Sequence, residues 1–380
     1  MDDGRIVRVE WALLEATRPR PAGSNARLGP HGTTVRLPLA RLTANDGTQG
    51  FGFCRATREE AGRLLGVSLS ALWSPVSGVE EPWLAWDYPV WDAMARRAGK
   101  PVYALAAAAN GLPAPAAPFS VPVYDTSLYF DDLDLPDDRA AANRLAAEAR
   151  EGYDRGHRAF KIKVGRGGRW MEREAGTRRD IAVIRAVWDA VGRGVPLMLD
   201  ANNGYTLNLA KHVLTETAEC AVLFLEEAFH EDGELYADLR AWIGRERLMT
   251  LIADGEGDAS PRLMEWAQAG HVQVVQYDII EPGFTRWLGI GKTLDGWGVR
   301  SAPHHYGTLW GNYAAPHLAA AVRGWLYAEW DAATTPALDA SGYRVAEGRV
   351  RVPDRPGFGL TLDDALFRRA VTETGYTVTT

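Results

Sequence analysis

Lys161 and Lys163 sit two residues apart in the apolar run Phe160–Val164. That spacing puts both ammonium groups on one face of a strand. Six later segments repeat the pattern of an apolar run ending in ionisable residues: Leu197–Asp200, Val222–Glu226, Leu251–Glu256, Val272–Asp278, Val299–His305 and Leu326–Glu329. Asp200, Glu226 and Glu256 are carboxylates from three consecutive strands of this series. Gathered at one mouth, they would repel and raise one another's pKa values. A hard divalent cation resolves that repulsion, and an oxygen-only ligand set favours Mg²⁺. Asn202, two residues past Asp200, can add a polar contact.

Asp278 and His304 end consecutive segments, so the carboxylate can fix the imidazole tautomer and raise its basicity. His305 follows directly, and strand alternation points the two rings in opposite directions. Glu329 ends the last segment. A lysine beside a divalent cation and a second ammonium is expected to titrate low enough to act as a base. A lysine on one side, a His–Asp pair on the other and a cation between them suit removal of a proton α to a carboxylate.

Elements must bring these groups together. Eight strands are expected at Val121–Tyr124, Ala159–Val164, Leu197–Asp200, Val222–Glu226, Thr250–Ala253, Val272–Gln276, Val299–Ala302 and Leu326–Glu329. Helical patterns lie between them, as at Arg139–Glu151, Arg179–Val191, Leu209–Cys220 and Gly233–Ile243. Spacings of roughly 25–35 residues match strand-plus-helix units, and such a series makes a barrel with all C-terminal strand ends at one mouth. No glycine-rich dinucleotide fingerprint follows the first strand, which weighs against a doubly wound sheet.

Before the Pro-rich stretch at 111–122 the texture is α+β. Arg5–Glu15, Val35–Thr43 and Gly50–Phe53 read as strands, with a hairpin turn at Asn45–Gly47. Arg58–Leu65 and Tyr88–Arg97 read as helices, and residues 18–34, rich in Pro, Gly and Arg, as a mobile loop. The tail reads as a hairpin around residues 351–359 and then a short helix. Fourteen tryptophans, several in EEPWLAWDYPVWDAM, are expected to pack between domains.

Bulk properties exclude other classes. A net charge of −7 leaves no basic patch for nucleic acid. No run of 18 apolar residues is long enough to span a membrane. The acidic start MDDGRIVRVEW reads against a secretory leader. Cys54 and Cys220 form neither a disulfide framework nor a zinc pattern, so a cytoplasmic enzyme is expected.

In order, KIK at 161–163, DANNGY at Asp200, LEEA at Glu226, ADGE at Glu256, YDIIEPGFT at Asp278, SAPHH at His304 and YAEWD at Glu329 resemble the enolase superfamily, in its mandelate racemase-like branch. WDAMARRAGKPVYAL and PDRPGFGL extend the resemblance to both ends of the chain. It implies a modified TIM barrel, (β/α)7β, at 119–340, with an α+β capping domain at 1–118 and a returning segment at 341–380. It implies Mg²⁺ held by Asp200, Glu226 and Glu256, with Lys163 and the His304–Asp278 pair as bases on opposite faces. Asp254 lies near the position that other branches use for the third ligand; the Gly255–Glu256 pair favours Glu256. Lys161 would contact the substrate carboxylate, and Glu329 would hydrogen-bond it or its enediolate. The 18–34 loop would close over the substrate, with Arg18, Arg20, Arg27 and His31 gripping a carboxylate or hydroxyls, and His305 as a further contact.

The reaction expected from the resemblance is dehydration of an aldonic or aldaric acid to a 2-keto-3-deoxy acid, by a homo-oligomer. A racemase or epimerase of 2-hydroxy acids is the alternative, and a silent sugar-acid-binding relative a third.

Overall fold

The computed structural model describes residues 3–380. At the N-terminus, Ile6–Ala22 pairs antiparallel with Gly32–Ala44, which continues through a tight turn into Gln49–Phe53. The outer edge of Ile6–Ala22 takes the last strand of the chain, Tyr376–Thr379. That strand is missing from the sequence-based expectation, and the tail hairpin is Arg344–Ala346 with Arg349–Arg351, turning at 347–348 rather than around 351–359. Helix Asp87–Arg97 packs on Gln49–Phe53.

The 18–34 segment is not a loop throughout. The ladder runs to Thr17 opposite Thr34, breaks register, and resumes at Ala22 opposite Gly32. Pro19 and Pro21 lack the N–H that a regular ladder needs, which accounts for a break at that point. Only Gly23–His31 lies outside the strands, and it is tethered: Phe130 N donates to the Ser24 carbonyl at 2.8 Å, and Trp170 Nε1 to the Asn25 carbonyl at 2.7 Å.

Eight parallel strands follow: Ser120–Leu128, Phe160–Lys163, Leu197–Asp200, Phe224–Glu226, Leu251–Asp254, Val274–Val275, Arg300–Ser301 and Ala328–Trp330. Each pairs with the next through the seventh, and the eighth returns to the first, with Glu329 opposite Tyr124. Ser301 bridges Trp325 just ahead of the eighth strand. Helices separate successive strands, but none follows the eighth until Asp364–Thr374 in the tail. The fold is therefore an α/β modified TIM barrel, (β/α)7β, with an α+β cap.

Alternation sorts the strand residues. Phe160, Ile162, Leu197, Leu199, Leu225, Ile252 and Val275 face the helices in the main core. Tyr124, Ala159, Met198, Phe224, Ala253, Val274 and Ala302 form a separate apolar plug inside the barrel. Two residues further along each strand, the same inward face carries Thr126, Lys161, Asp200, Glu226, Gly255, Gln276 and His304. The polar layer is thus the plug displaced by one strand repeat.

Aromatic residues join cap, barrel and tail. Trp91 meets Phe284 with centroids 5.2 Å apart, and Trp310 meets Phe358 at 5.4 Å and Tyr88 at 6.1 Å. The packing expectation for the tryptophans holds at these positions. No helix among the described residues is long and apolar enough to cross a membrane.

Candidate active site

Ladder register explains the first contacts. Lys163 lies opposite Asp200, and Asp200 opposite Glu226, so three inward side chains share one level. Lys163 Nζ pairs with Asp200 Oδ2. Lys161, one level below, donates to both oxygens of Glu226 at 3.0 Å and lies 3.2 Å from Glu329 and 3.5 Å from Asp200. Both lysines are buried, as are Asp200, Glu226 and Glu329. Burial alone lowers a lysine pKa, yet the carboxylates win: Lys161, facing Glu226 and Glu329, is held well above the ordinary value, and Lys163, facing Asp200, is raised too. These directions belong to the carboxylates alone; a divalent cation held by Asp200, Glu226 and Glu256 would offset their pull on both lysines.

Asp200, Glu226 and Glu256 each offer an oxygen within 4.8 Å of the others. Burial and the neighbouring Asp200 push Glu226 up to about 7. Glu256 Oε2 is buried with no hydrogen-bond partner, the His304 Nε2 standing 3.6 Å away, beyond hydrogen-bond reach. An all-oxygen donor set with one buried oxygen uncommitted fits a hard cation such as Mg²⁺. Asp254 stands outside this group of three. Its oxygens take the Tyr236 hydroxyl and, at 2.7 Å, the Gly255 N–H.

His304 stands at the other end of the triad. Its Nε2 lies 3.6 Å from Glu256, and its Nδ1 is 2.6 Å from Asp278 Oδ1. The two strand ends also form a parallel bridge at Asp278 and His304. Gly257 N donates to the other Asp278 oxygen at 2.9 Å. Burial works against the imidazolium, but Glu256, Glu329 and Asp278 push His304 up to about 10. Glu329 Oε1 takes the Thr126 hydroxyl at 2.7 Å, and Oε2 takes the N–H groups of His305 and Tyr306 at 2.7 and 2.8 Å. Burial opposes its charge, yet Lys161 and His304 hold it well below the usual carboxylate value.

Several expected contacts lie elsewhere. The His305 ring is buried, with Nε2 2.8 Å from the Glu329 carbonyl, so it braces the eighth strand instead of facing the triad. Arg20 donates to Ser127 and pairs with Glu148 at 2.8 Å and Asp131 at 3.3 Å, groups outside the triad. Arg18 is bound by Asp331 through both carboxylate oxygens. Arg27 lies 3.8 Å from Glu227 and is half-exposed. Asn202 follows Asp200 and donates to Glu227 at 2.8 Å, with its own Oδ1 unpartnered. His31 is the loop residue that reaches the barrel mouth, edge-on to Tyr129 at 4.9 Å between centroids.

Sequence reasoning missed Thr126, Gln276, Tyr129 and Tyr306. Gln276 Nε2 donates to Glu226 at 2.9 Å, and Tyr129 lies 5.2 Å from Lys163 Nζ. Thr126 and Gln276 carry the signal that found the charged residues, two positions past an inward apolar residue, but as neutral side chains they draw no attention.

This fold and this cluster define an enolase-superfamily barrel enzyme. The profile described as Enolase C-terminal domain-like matches residues 144–366, and the chain belongs to that family. It is similar to galacturonate dehydratase from Geobacillus sp., solved with D-galacturonate and 5-keto-4-deoxy-D-galacturonate. Identity is 45%, coverage 99% of each chain and the TM-score 0.94; a mutant of that enzyme was solved with Mg. A mandelate racemase/muconate lactonizing protein from Geobacillus sp. Y412MC10, complexed with magnesium/tartrate, is 46% identical over 100% of this chain and 98% of its own, with a TM-score of 0.97. L-talarate/galactarate dehydratase of Salmonella typhimurium is 28% identical over 87% of this chain and 82% of its own.

Proposed function

We propose that this protein is a Mg²⁺-dependent acid-sugar dehydratase. The observation that carries the reading is the placement of Lys163 and His304 at the two ends of the Asp200–Glu226–Glu256 triad. Bound at those three carboxylates, the cation would supply fixed positive charge beside the substrate carboxylate. Lys161, ion-paired to Glu226 and Glu329, would hold that carboxylate and the charge that develops on it. Of Lys163 and His304, the group facing the α C–H takes that proton. The other gives a proton to the β-hydroxyl, which leaves as water when its C–O bond breaks. The enol then tautomerises to the 2-keto-3-deoxy acid. Asp278 keeps the His304 ring oriented throughout. The acid-sugar dehydratases to which the chain is similar support this choice among proton-abstraction reactions.

We read residues 1–118 and 341–380 as one cap and 119–340 as the catalytic barrel, a division supported by the pairing of Tyr376–Thr379 with Ile6–Ala22. Two free cysteines are in keeping with a cytoplasmic setting.

The test is a panel of aldonic, aldaric and uronic acids with Mg²⁺ in D₂O. A 2-keto-3-deoxy product from at least one acid is expected. Deuterium at the α-carbon with inverted configuration and an intact β-hydroxyl would instead mark a racemase or epimerase.

A further inference from the structure

Beside Lys163, at the mouth of the barrel, three rings form a neutral aromatic wall. Tyr129 lies 5.2 Å from Lys163 Nζ and stacks on Tyr306, with centroids 4.8 Å apart. His31 meets both rings edge-on, at 4.9 and 5.8 Å. The Tyr306 backbone donates to Glu329, which ties the wall to the catalytic layer. Next along this column comes Arg18, 4.3 Å from the Tyr306 centroid and committed to Asp331.

We propose that this wall makes the enzyme selective for acid sugars with a single carboxylate: His31, Tyr129 and Tyr306 receive an uncharged, hydroxylated distal end and leave a second carboxylate without a partner. The proposal rests on the acid-sugar reading above and narrows it. Burying a second carboxylate there calls for a cation to offset its charge; the wall's phenol hydroxyls, of which that of Tyr306 is buried without a partner, bring donors but no charge. The three arginines of the 18–34 segment already serve carboxylates of the chain: Arg18 serves Asp331, Arg20 serves Glu148 and Asp131, and Arg27 faces Glu227.

The His31 ring supplies the sign. Its Nδ1 is 2.9 Å from the Gly23 carbonyl, which can only accept, so Nδ1 carries the proton. In the neutral ring Nε2 is then an acceptor, able to take a sugar hydroxyl and repelling a carboxylate. Burial, joined by the charges of Lys163 and Arg18, holds His31 below the ordinary histidine value, which keeps the ring neutral at neutral pH. Aromatic faces also suit the C–H surfaces of a sugar.

D-Galacturonate and galactarate form a matched pair, because galactarate is galacturonate with the distal carbonyl oxidised to a carboxylate. Binding of each is to be measured by calorimetry on the Mg²⁺-loaded His304→Asn protein, whose dehydration is expected to be too slow to consume the ligand during the titration. Galacturonate is expected to bind about 100-fold or more tighter, the discrimination that an unpaired polar group imposes. His31→Arg in the same background supplies a cation to the wall and is expected to shrink that ratio at least tenfold by tightening galactarate. Comparable affinities before His31 is changed overturn the proposal, however the arginine variant folds. An unchanged ratio in a folded His31→Arg protein also overturns it. If the Mg²⁺-loaded protein binds neither acid, or binds both equally, this proposal falls, while the acid-sugar reading stands or falls with the wider panel.

Discussion

Lys161 has more partners than a structural lysine needs. It contacts Glu226, Glu329 and Asp200, all buried, so removal of one partner leaves it paired. This makes Glu226→Gln a clean probe of the metal. The substitution is expected to weaken Mg²⁺ binding about 100-fold and to abolish turnover while the circular dichroism spectrum stays unchanged. Full activity in that variant, with EDTA without effect, would remove the triad from the mechanism. A second residue-scale prediction concerns the two proton-transfer groups. Lys163→Ala and His304→Asn should each lower dehydration by about 10³-fold or more. The variant that keeps the true base should still wash α-hydrogen into solvent, which proton NMR in D₂O detects. Equal loss of exchange and dehydration in both variants would count against divided roles. These charged residues were legible because each ends an apolar run. Thr126 and Gln276 were not, since neutral side chains at the same strand ends look like ordinary polar positions. His305 was legible only as a choice between two neighbouring rings, which strand alternation resolves in favour of His304.

Strand Gln49–Phe53 shows what positions the cap. Its glycines bring the backbone against helix Asp87–Arg97: a Cβ on Gly50 would overlap the Ala93 nitrogen and the Pro89 carbonyl. These are backbone atoms, so no side-chain rotation relieves the overlap. Gly50→Ala is expected to destabilise the protein by about 3 kcal/mol, read as a lower urea midpoint, because overpacking against backbone forces the helix to move. An unchanged midpoint would mean that the helix shifts freely. The hairpin at Asn45–Gly47 was readable from its turn residues, and the barrel strands from their hydrophobic runs. The 18–34 segment misled because Pro and Gly normally signal loops. Two prolines instead break register within a long strand pair that buried alternation holds in place.

At the scale of the molecule, His317 links three regions distant in sequence. Its Nδ1 takes the N–H of Tyr103 from a cap helix at 2.9 Å, so the proton resides on Nε2, 2.9 Å from the Tyr343 hydroxyl. Tyr343 in turn donates to the Phe358 carbonyl at 2.6 Å in the tail. Nothing in the sequence marks this histidine, because its partners lie more than 200 residues away on one side and in the tail on the other. Burial pushes its pKa down to about 3 from an ordinary 6.5. The folded value lies below the unfolded one, so the unfolded chain binds the extra proton. The stabilisation from the neutral ring is complete above pH 6.5 and is lost as pH falls toward 3, at about 1.4 kcal/mol per pH unit. Urea midpoints measured from pH 7 to pH 4 should therefore fall, and His317→Asn should start lower at pH 7 yet decline less steeply. Parallel declines in the two proteins would show that acid acts elsewhere. A smaller slope in the variant would place the acid-sensitive joint where cap, barrel and tail meet.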